Sequence, residues 1–194
     1  MTKEEIEKLM KTAGQVRGVT FKTDAEYMKN HYGDESISKV KKLLSDWGYP
    51  IDYEKIDAME WMPIGLRILS LVAIKETFNL NDDGIKQIGL EAPKYSIIVK
   101  FFMKFFISVK KVFESAPKYW ERHWSIGKIV TTELDEARKT AKIELRDFPL
   151  HLLYCKFAEG YYQTILNYVV KNAMCKETKC QFKGDNCHEF TFTW

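Results

Sequence analysis

The chain has 194 residues, of which 45% are apolar and 29% charged, and its formal net charge is +3. This composition is typical of a globular protein and not of a disordered one, and the lysines are spread along the chain without the clustering of a nucleic-acid footprint. A chain of this length buries roughly 70% of its unfolded surface, so it needs no disulfide to stay folded. We expect one domain over residues 1–194, with residues 1–14 as an N-terminal helical extension and no nucleic-acid partner.

The apolar segments predict a cytoplasmic protein without a membrane span. The N-terminal sequence MTKEEIEKLMKTAG is amphipathic and lacks the apolar stretch of a secretory signal. The longest apolar run, residues 95–109, is interrupted by Lys100 and Lys104 and is too short and too charged to cross a bilayer. In the reducing cytoplasm, clustered cysteines are more often metal ligands than disulfides.

The first two thirds of the chain are predicted to be mostly helical. After the N-terminal helix, the alternating stretch QVRGVTF predicts a strand, and a Thr-Asp cap at residues 23–24 begins the next helix. Pro93 and Pro117 divide residues 82–124 into two or three helices. The helix that begins at the Thr-Asp cap covers residues 23–33. Two other helices are predicted over residues 34–48 and 61–78, the last with Pro63 in its first turn. There Arg67 is the one cation of an apolar run, so it either reaches the surface or pairs with a buried acid.

Strands dominate the rest of the chain. The stretches GKIVTTEL and RKTAKIELRDF are β-prone, and DEAR between them suits a hairpin turn. A long helix over roughly residues 149–172 follows, and a second hairpin ends with Phe190, Phe192 and Trp194 in alternation. The sequence therefore predicts an α+β fold, in which a helical layer packs on a small antiparallel sheet and the C-terminal hairpin is stapled to the long helix.

Three of the four cysteines fall within the last hairpin, in the stretch CKETKCQFKGDNCHEF. Cys180 and Cys187 flank a Gly-Asp turn, so their thiolates can face one point. Glu177 and Cys175 lie just upstream, and Cys155 lies on the preceding helix. Because four converging thiolate or similar ligands form a tetrahedral zinc site, a structural metal is predicted here. The alternative is a set of free thiols, some of them buried as small apolar groups.

These residues resemble a known family. The helix motif CKFAEGYY and the hairpin motif ETKCQFKGDNCHEF are similar to the C-terminal half of 4-vinyl reductase domains, which bind small molecules and are related in fold to subunits of the TRAPP tethering complex. A myxobacterial group of uncharacterised proteins is similar over more of the chain, from VRGVTF to FTFTW.

The resemblance implies zinc as the cofactor, held by Cys155, Glu177, Cys180 and the residue at the end of the turn. That residue is Cys187, or His188 when the motif is counted from Gly-Asp or from Phe190. Cys175 is an additional thiol. The four cysteines also leave an iron–sulfur cluster open as an alternative, and haem is another, with His123 in the most apolar setting.

A ligand pocket is predicted among the aromatic residues of 97–124. His123 could donate a hydrogen bond to a phenolic or carboxylate ligand, although the same residues would also suit an ordinary core stripe. The candidate pocket residues are Phe101, Phe102, Phe105, Phe106, Tyr119, Trp120, His123 and Trp124.

No phosphate-binding loop and no nucleophile or metalloprotease motif occurs in the sequence, so we do not expect an enzyme. The leading hypothesis is a sensor that binds a small apolar or aromatic molecule, carries a structural zinc site and signals through protein contacts, as a homodimer. Two alternatives are a scaffold of TRAPP-subunit type with a lipid- or side-chain-filled cavity, and a haem- or iron–sulfur-containing redox protein of reductase type.

Overall fold

A computed structural model of the protein describes residues 1–96, 99–101 and 108–194. The helices are α1 (Lys3–Met10), α2 (Val19–Tyr32), α3 (Ser36–Asp46), α4 (Ile64–Thr77), α5 (Asp82–Tyr95), α6 (Val109–His123) and α7 (Leu152–Asn167). The strands are β1 (Gln15–Arg17), β2 (Trp61–Pro63), β3 (Lys128–Asp135), β4 (Thr140–Arg146), β5 (Met174–Lys179) and β6 (His188–Thr193). The predicted α+β class is therefore confirmed.

Four strands form one antiparallel sheet in the order β3-β4-β6-β5. Successive residues of a strand point to opposite faces, and in β6 the side chains of His188, Phe190 and Phe192 are buried while those between them are partly exposed. Helix α7 packs against β5 and β6, and α6 packs against β3. The sheet thus has one face covered by helices, as the sequence predicted.

The N-terminal segments differ from the predicted ones at their boundaries. Helix α1 begins with a capping box in which Thr2 and Glu5 each accept from the other's backbone N–H. The predicted strand QVRGVTF is limited to β1, because α2 begins at Val19. Strand β1 pairs with β2, which occupies the predicted first turn of α4.

Asp24 is not the helix cap that the sequence predicted. It lies within α2, is fully buried, and forms an ion pair with Arg67 of α4, which is also fully buried. The Ser70 hydroxyl donates to the same Asp24 oxygen at 2.7 Å and bonds to the Tyr53 hydroxyl at 2.8 Å. Of the two alternatives for Arg67, the structure shows pairing with a buried acid. A buried guanidinium requires such a partner because its desolvation is costly.

Helices α5 and α7 cross in direct backbone contact. A Cβ placed on Gly89 would lie 2.0 Å from the Phe157 carbonyl oxygen, and a Cβ on Gly160 would lie 2.1 Å from that of Lys86. Real Cβ atoms cannot approach so closely, so glycine is required on both helices. This contact fixes α7 relative to the N-terminal helices.

Several predicted helix boundaries in the middle of the chain are wrong. Pro93 and Pro117 lie inside α5 and α6 and do not end them. Each proline removes one backbone hydrogen bond, but the buried faces of both helices hold them in place. Helix α7 is also shorter than the predicted segment of residues 149–172. Among the described residues, no helix combines the length and apolar character needed to cross a membrane.

Candidate ligand cavity and candidate metal centre

An apolar cavity of about 100 Å³ lies between α2, α5, α6 and α7. Its volume is somewhat below the roughly 150 Å³ of an engineered apolar cavity that binds benzene. The described residues that line it are Val19, Thr20, Thr23, Ala92, Ser96, Val99, Val112, Ala116, Tyr119, Trp120, His123, Trp124, Ile129, Tyr154, Phe157, Tyr161, Tyr162 and Ile165.

Two stacked ring pairs build the wall formed by the end of α6. Residues four apart on a helix are neighbours, and the rings of Tyr119 and His123 stack with their centroids 4.3 Å apart. The rings of Trp120 and Trp124 stack in the same way at 5.0 Å. The Trp120 indole N–H donates to the Ile126 carbonyl at 2.9 Å, so both this hydrogen bond and the stack on Trp124 fix the orientation of the ring.

His123 presents a nitrogen without a hydrogen-bond partner at this wall. Its Nδ1 lies 2.8 Å from the Tyr119 carbonyl oxygen, and its Nε2 is buried with no partner among the described residues. Burial lowers the pKa of His123 below its ordinary value, and the bond to the Tyr119 carbonyl opposes this only in part. The ring is therefore neutral at pH 7.

Most other polar groups of the lining are already paired. The Thr20 and Thr23 hydroxyls donate to backbone carbonyls at 3.1 and 2.8 Å. The Tyr119 and Tyr161 hydroxyls lie 3.3 Å apart, and burial raises the pKa of Tyr119 to about 12. Within the part of the chain that the structure describes, the hydroxyl oxygen of Tyr162 is buried without a partner, as is His123 Nε2.

The structure places the predicted pocket residues in three groups. Tyr119, Trp120, His123 and Trp124 line the cavity. Phe101 is 59% exposed and does not line it. Phe102, Phe105 and Phe106 lie outside the described residues, as does much of the predicted helical face of residues 97–109.

Sequence reasoning missed the wall contributed by α7. This wall consists of Tyr154, Phe157, Tyr161, Tyr162 and Ile165. The signal was present in YCKFAEGYYQTI, where aromatic residues recur at spacings of three and four, typical of one helix face. From the sequence, part of this stretch, CKFAEGYY, is interpreted as a family motif and not as a pocket wall.

A second candidate site joins α7 to the last hairpin. Cys155 of α7, Glu177 of β5, Cys180 after β5 and His188 of β6 bring one ligand atom each to within 4.8 Å of one another. His188 Nδ1 lies 3.0 Å from Glu177 Oε1 and 3.5 Å from Cys155 Sγ, and the Cys155 and Cys180 sulfurs are 3.9 Å apart. All four side chains are largely buried. Two sulfurs, one imidazole and one carboxylate are a ligand set that suits a tetrahedral metal ion.

The side chains of this group shift one another's pKa. Burial raises the pKa of Cys155 far above its ordinary value, and the adjacent Glu177 raises it further. For Glu177, hydrogen bonds from His188 and Cys155 outweigh the effect of burial, so that its pKa is lowered.

The turn that presents Cys180 is built by the Gly-Asp pair. Gly184 has a left-handed backbone with φ of 98°, which glycine adopts without strain. The Asp185 carboxylate accepts from the Cys180 backbone N–H at 2.8 Å. A hydrogen bond from the Glu177 N–H to the buried Glu159 carboxylate, at 3.0 Å, ties β5 to α7. Glu159 was not identified from the sequence.

The remaining two cysteines lie outside this group. Cys187 lies in the bend immediately before β6 and is not one of the four residues whose ligand atoms come together. Cys175 pairs with Phe192, four residues along β6 from His188 and therefore roughly 13 Å away along the strand. Both thiols are buried, and burial raises the pKa of each. Of the alternatives for the last ligand, the structure brings His188 to the group.

Comparison with known proteins gives matches at the level of structure alone. No family model and no curated protein matches the chain. An H-NOX protein from S. oneidensis matches with a TM-score of 0.72 and 13% identity, over 91% of this chain and 95% of the other. An H-NOX protein from K. algicida matches with a TM-score of 0.65 and 10% identity, over 91% and 95%.

Further matches name ligands of those proteins. An oxygen-binding H-NOX domain related to soluble guanylate cyclases has a TM-score of 0.61 and 12% identity, over 88% of this chain and 90% of the other. Two other matching structures are described by the redox potential and the distortion of their haem.

These matches correct the predicted family. The resemblance to 4-vinyl reductase domains and TRAPP subunits is wrong, because it rested on short motifs while the whole backbone follows another fold. The prediction of a sensor of that family with zinc as its cofactor is wrong for the same reason. The matches also do not support the TRAPP-type scaffold or the iron–sulfur alternative. The chain has the fold of H-NOX domains.

Proposed function

We propose that the chain is a non-catalytic, ligand-sensing domain built on the H-NOX fold, with the aromatic cavity as its ligand site. The observation that carries this proposal is His123, whose Nε2 is buried in a mainly apolar cavity and has no partner among the described residues. An enclosed apolar pocket with few polar groups is the usual form of a small-molecule site. The oxygen-binding domain among the matches supports a sensing role, and the prediction that the chain is not an enzyme agrees with it.

Haem is the group that the fold match suggests, and the residues present fit it only at the iron. A histidine that donates its Nδ1–H to a backbone carbonyl and keeps Nε2 free is typical of a metal ligand. However, cavities for drug-sized ligands measure roughly 300–1,000 Å³, and this cavity is about 100 Å³. No lysine or arginine is among its described lining residues to pair with the two haem propionates. The cavity therefore does not suit haem, and we propose that the chain binds its ligand directly.

Titration with hemin tests this part of the proposal. We expect no stoichiometric Soret band, because the cavity is small and its described lining residues include no cation. A Soret band at one haem per chain that is lost in His123→Ala, but kept in His31→Ala on the surface, would show that haem is the cofactor.

Benzene is a suitable probe for the cavity itself. Ala116 lines the cavity, and Ala116→Leu should fill part of it, whereas Lys118→Leu changes an exposed residue of the same helix. A ligand that binds only the folded state raises the melting temperature. We expect benzene to raise it in the unaltered protein and in Lys118→Leu but not in Ala116→Leu. Equal shifts in all three proteins would place the binding elsewhere.

We also propose that Cys155, Glu177, Cys180 and His188 hold one metal ion that links α7 to the hairpin. The ligand set favours an ion that prefers thiolate and imidazole donors. Because such a group forms only in the folded chain, metal binding contributes directly to stability.

The two hairpin cysteines provide a matched test of this metal site. Cys180→Ser removes a member of the group, and Cys187→Ser alters a cysteine that is equally buried but outside it. Elemental mass spectrometry of protein purified without chelator should find about one metal ion per chain in Cys187→Ser and a strongly reduced content in Cys180→Ser. Equal metal content in both variants, or no metal in the unaltered protein, would contradict the proposal.

The remaining partners stay predictions. They are the homodimer, the protein that receives the signal and the cytoplasmic location. Native mass spectrometry of the full chain at several concentrations measures the oligomeric state directly.

A further inference from the structure

The hydrogen bond between His123 and Tyr119 determines which nitrogen carries the imidazole proton. A backbone carbonyl can only accept a hydrogen bond, so Nδ1 of His123, 2.8 Å from the Tyr119 oxygen, must be the donor. The second proton is disfavoured because burial lowers the pKa of the ring. Nε2 therefore carries a lone pair and no hydrogen. At the cavity wall it can accept a hydrogen bond but cannot donate one.

An acceptor that is buried and unpaired costs free energy, which a ligand with a donor would recover. At His123 Nε2, ligands that offer only acceptors, such as ethers and carboxylates, would set one lone pair against another, so a donor to an acceptor ligand could come only from elsewhere in the lining, for example from the Tyr162 hydroxyl. A charged ligand is further disfavoured by the apolar lining. The positive charges of Arg17 and Arg122 act on His123, but neither arginine lines the cavity, and Arg17 donates to the carbonyls of Arg122 and Met59.

We infer that the cavity takes a small uncharged molecule with an apolar body and a hydrogen-bond donor, and that His123 Nε2 accepts this donor. Suitable groups are a pyrrole-type N–H, an alcohol or a phenolic O–H. This inference rests on the proposed function and names the class of its ligand. It reverses the sequence-based expectation that His123 donates to a phenol or carboxylate.

Pyrrole and furan form a matched pair of probes for this inference. Both are neutral five-membered aromatic rings of nearly the same size, but only pyrrole carries a donor. In calorimetric titrations of the full chain, we expect pyrrole to bind about tenfold more tightly than furan, the ratio that corresponds to about 1.4 kcal/mol. Replacing the acceptor in His123→Phe should reduce this ratio to about one.

The outcomes separate the inference from the proposed function. If pyrrole and furan bind with equal affinity, the cavity remains a ligand site and the role of His123 as acceptor is wrong. If neither probe binds and benzene also fails, the proposed ligand site itself is wrong. Should His123→Phe not fold, the pyrrole-to-furan ratio of the unaltered protein still decides the inference.

Discussion

Buried polar residues of this protein show where a local sequence pattern is insufficient. Arg67 stands out as a cation in an apolar run, and the sequence limited it to two roles. Its partner Asp24 could not be identified, because a Thr-Asp pair before an amphipathic stretch also has the pattern of a helix cap. Only the packing of α2 against α4 places these charges together.

Replacing one charge of this pair should strongly destabilise the protein. Arg67→Met leaves Asp24 buried without its partner, and we expect a loss of about 3–5 kcal/mol in the free energy of unfolding, measured with urea. Lys55→Met removes an exposed ion pair with Asp52 and should change the free energy of unfolding little. The double variant Asp24→Leu/Arg67→Met should recover much of the loss. A loss of less than about 1 kcal/mol in Arg67→Met would show that the pair is not buried as described.

The neutral His123 predicts a pH dependence of stability. Burial lowers its pKa in the folded state, while the imidazole of the unfolded chain titrates near 6.5. Below that pH the unfolded chain binds a proton that the folded chain does not. The free energy of unfolding is therefore highest above about pH 6.5, and it decreases as the pH falls toward the folded-state pKa of His123.

Urea unfolding at about pH 7.5 and about pH 5.5 measures this effect. His123→Gln should remove up to about 1.4 kcal/mol of the difference between the two conditions. Burial also lowers the pKa of His151, so part of the dependence should remain. An unchanged difference in His123→Gln would mean that His123 is not buried in its neutral form.

At the level of helices and strands, types were predicted better than boundaries. The hairpins were predicted because alternation and turn residues are local signals. The prediction that Pro93 and Pro117 end helices is wrong, because tertiary packing outweighs the loss of one backbone hydrogen bond. His188 was an open alternative to Cys187, and the choice depends on which residues of β6 face α7, a matter of strand register that no local motif specifies.

The crossing of α5 and α7 predicts a severe effect of a single methyl group. Gly160→Ala would place a Cβ 2.1 Å from the Lys86 carbonyl oxygen, so the helices must separate. We expect a loss of about 3 kcal/mol in the free energy of unfolding. Gly184→Ala is the comparison, because nothing crowds a Cβ there and only its left-handed backbone is unfavourable, at a cost of about 1 kcal/mol. Similar losses in both variants would argue against the close crossing.

For the whole molecule, the sequence predicted the class of fold but not the fold itself. The family resemblance rested on cysteine, glycine and aromatic spacings in the last third of the chain. Such spacings indicate a local hairpin, and unrelated folds can contain the same spacings. The match to H-NOX proteins is at 10 to 13% identity in the structures compared above, too low for motifs to reveal it. The cavity is likewise a property of the assembled helices, because α2, α5, α6 and α7 each contribute a wall.

The proposed ligand of this cavity carries a hydrogen-bond donor that His123 Nε2 accepts. The most direct measurement is the nitrogen-15 NMR spectrum of the histidine rings at neutral pH, with and without pyrrole. We predict that Nε2 of His123 has the chemical shift of an unprotonated ring nitrogen and that this signal moves when pyrrole is added but not when furan is added. A protonated Nε2 in the free protein, or a signal unchanged by pyrrole, would contradict the account.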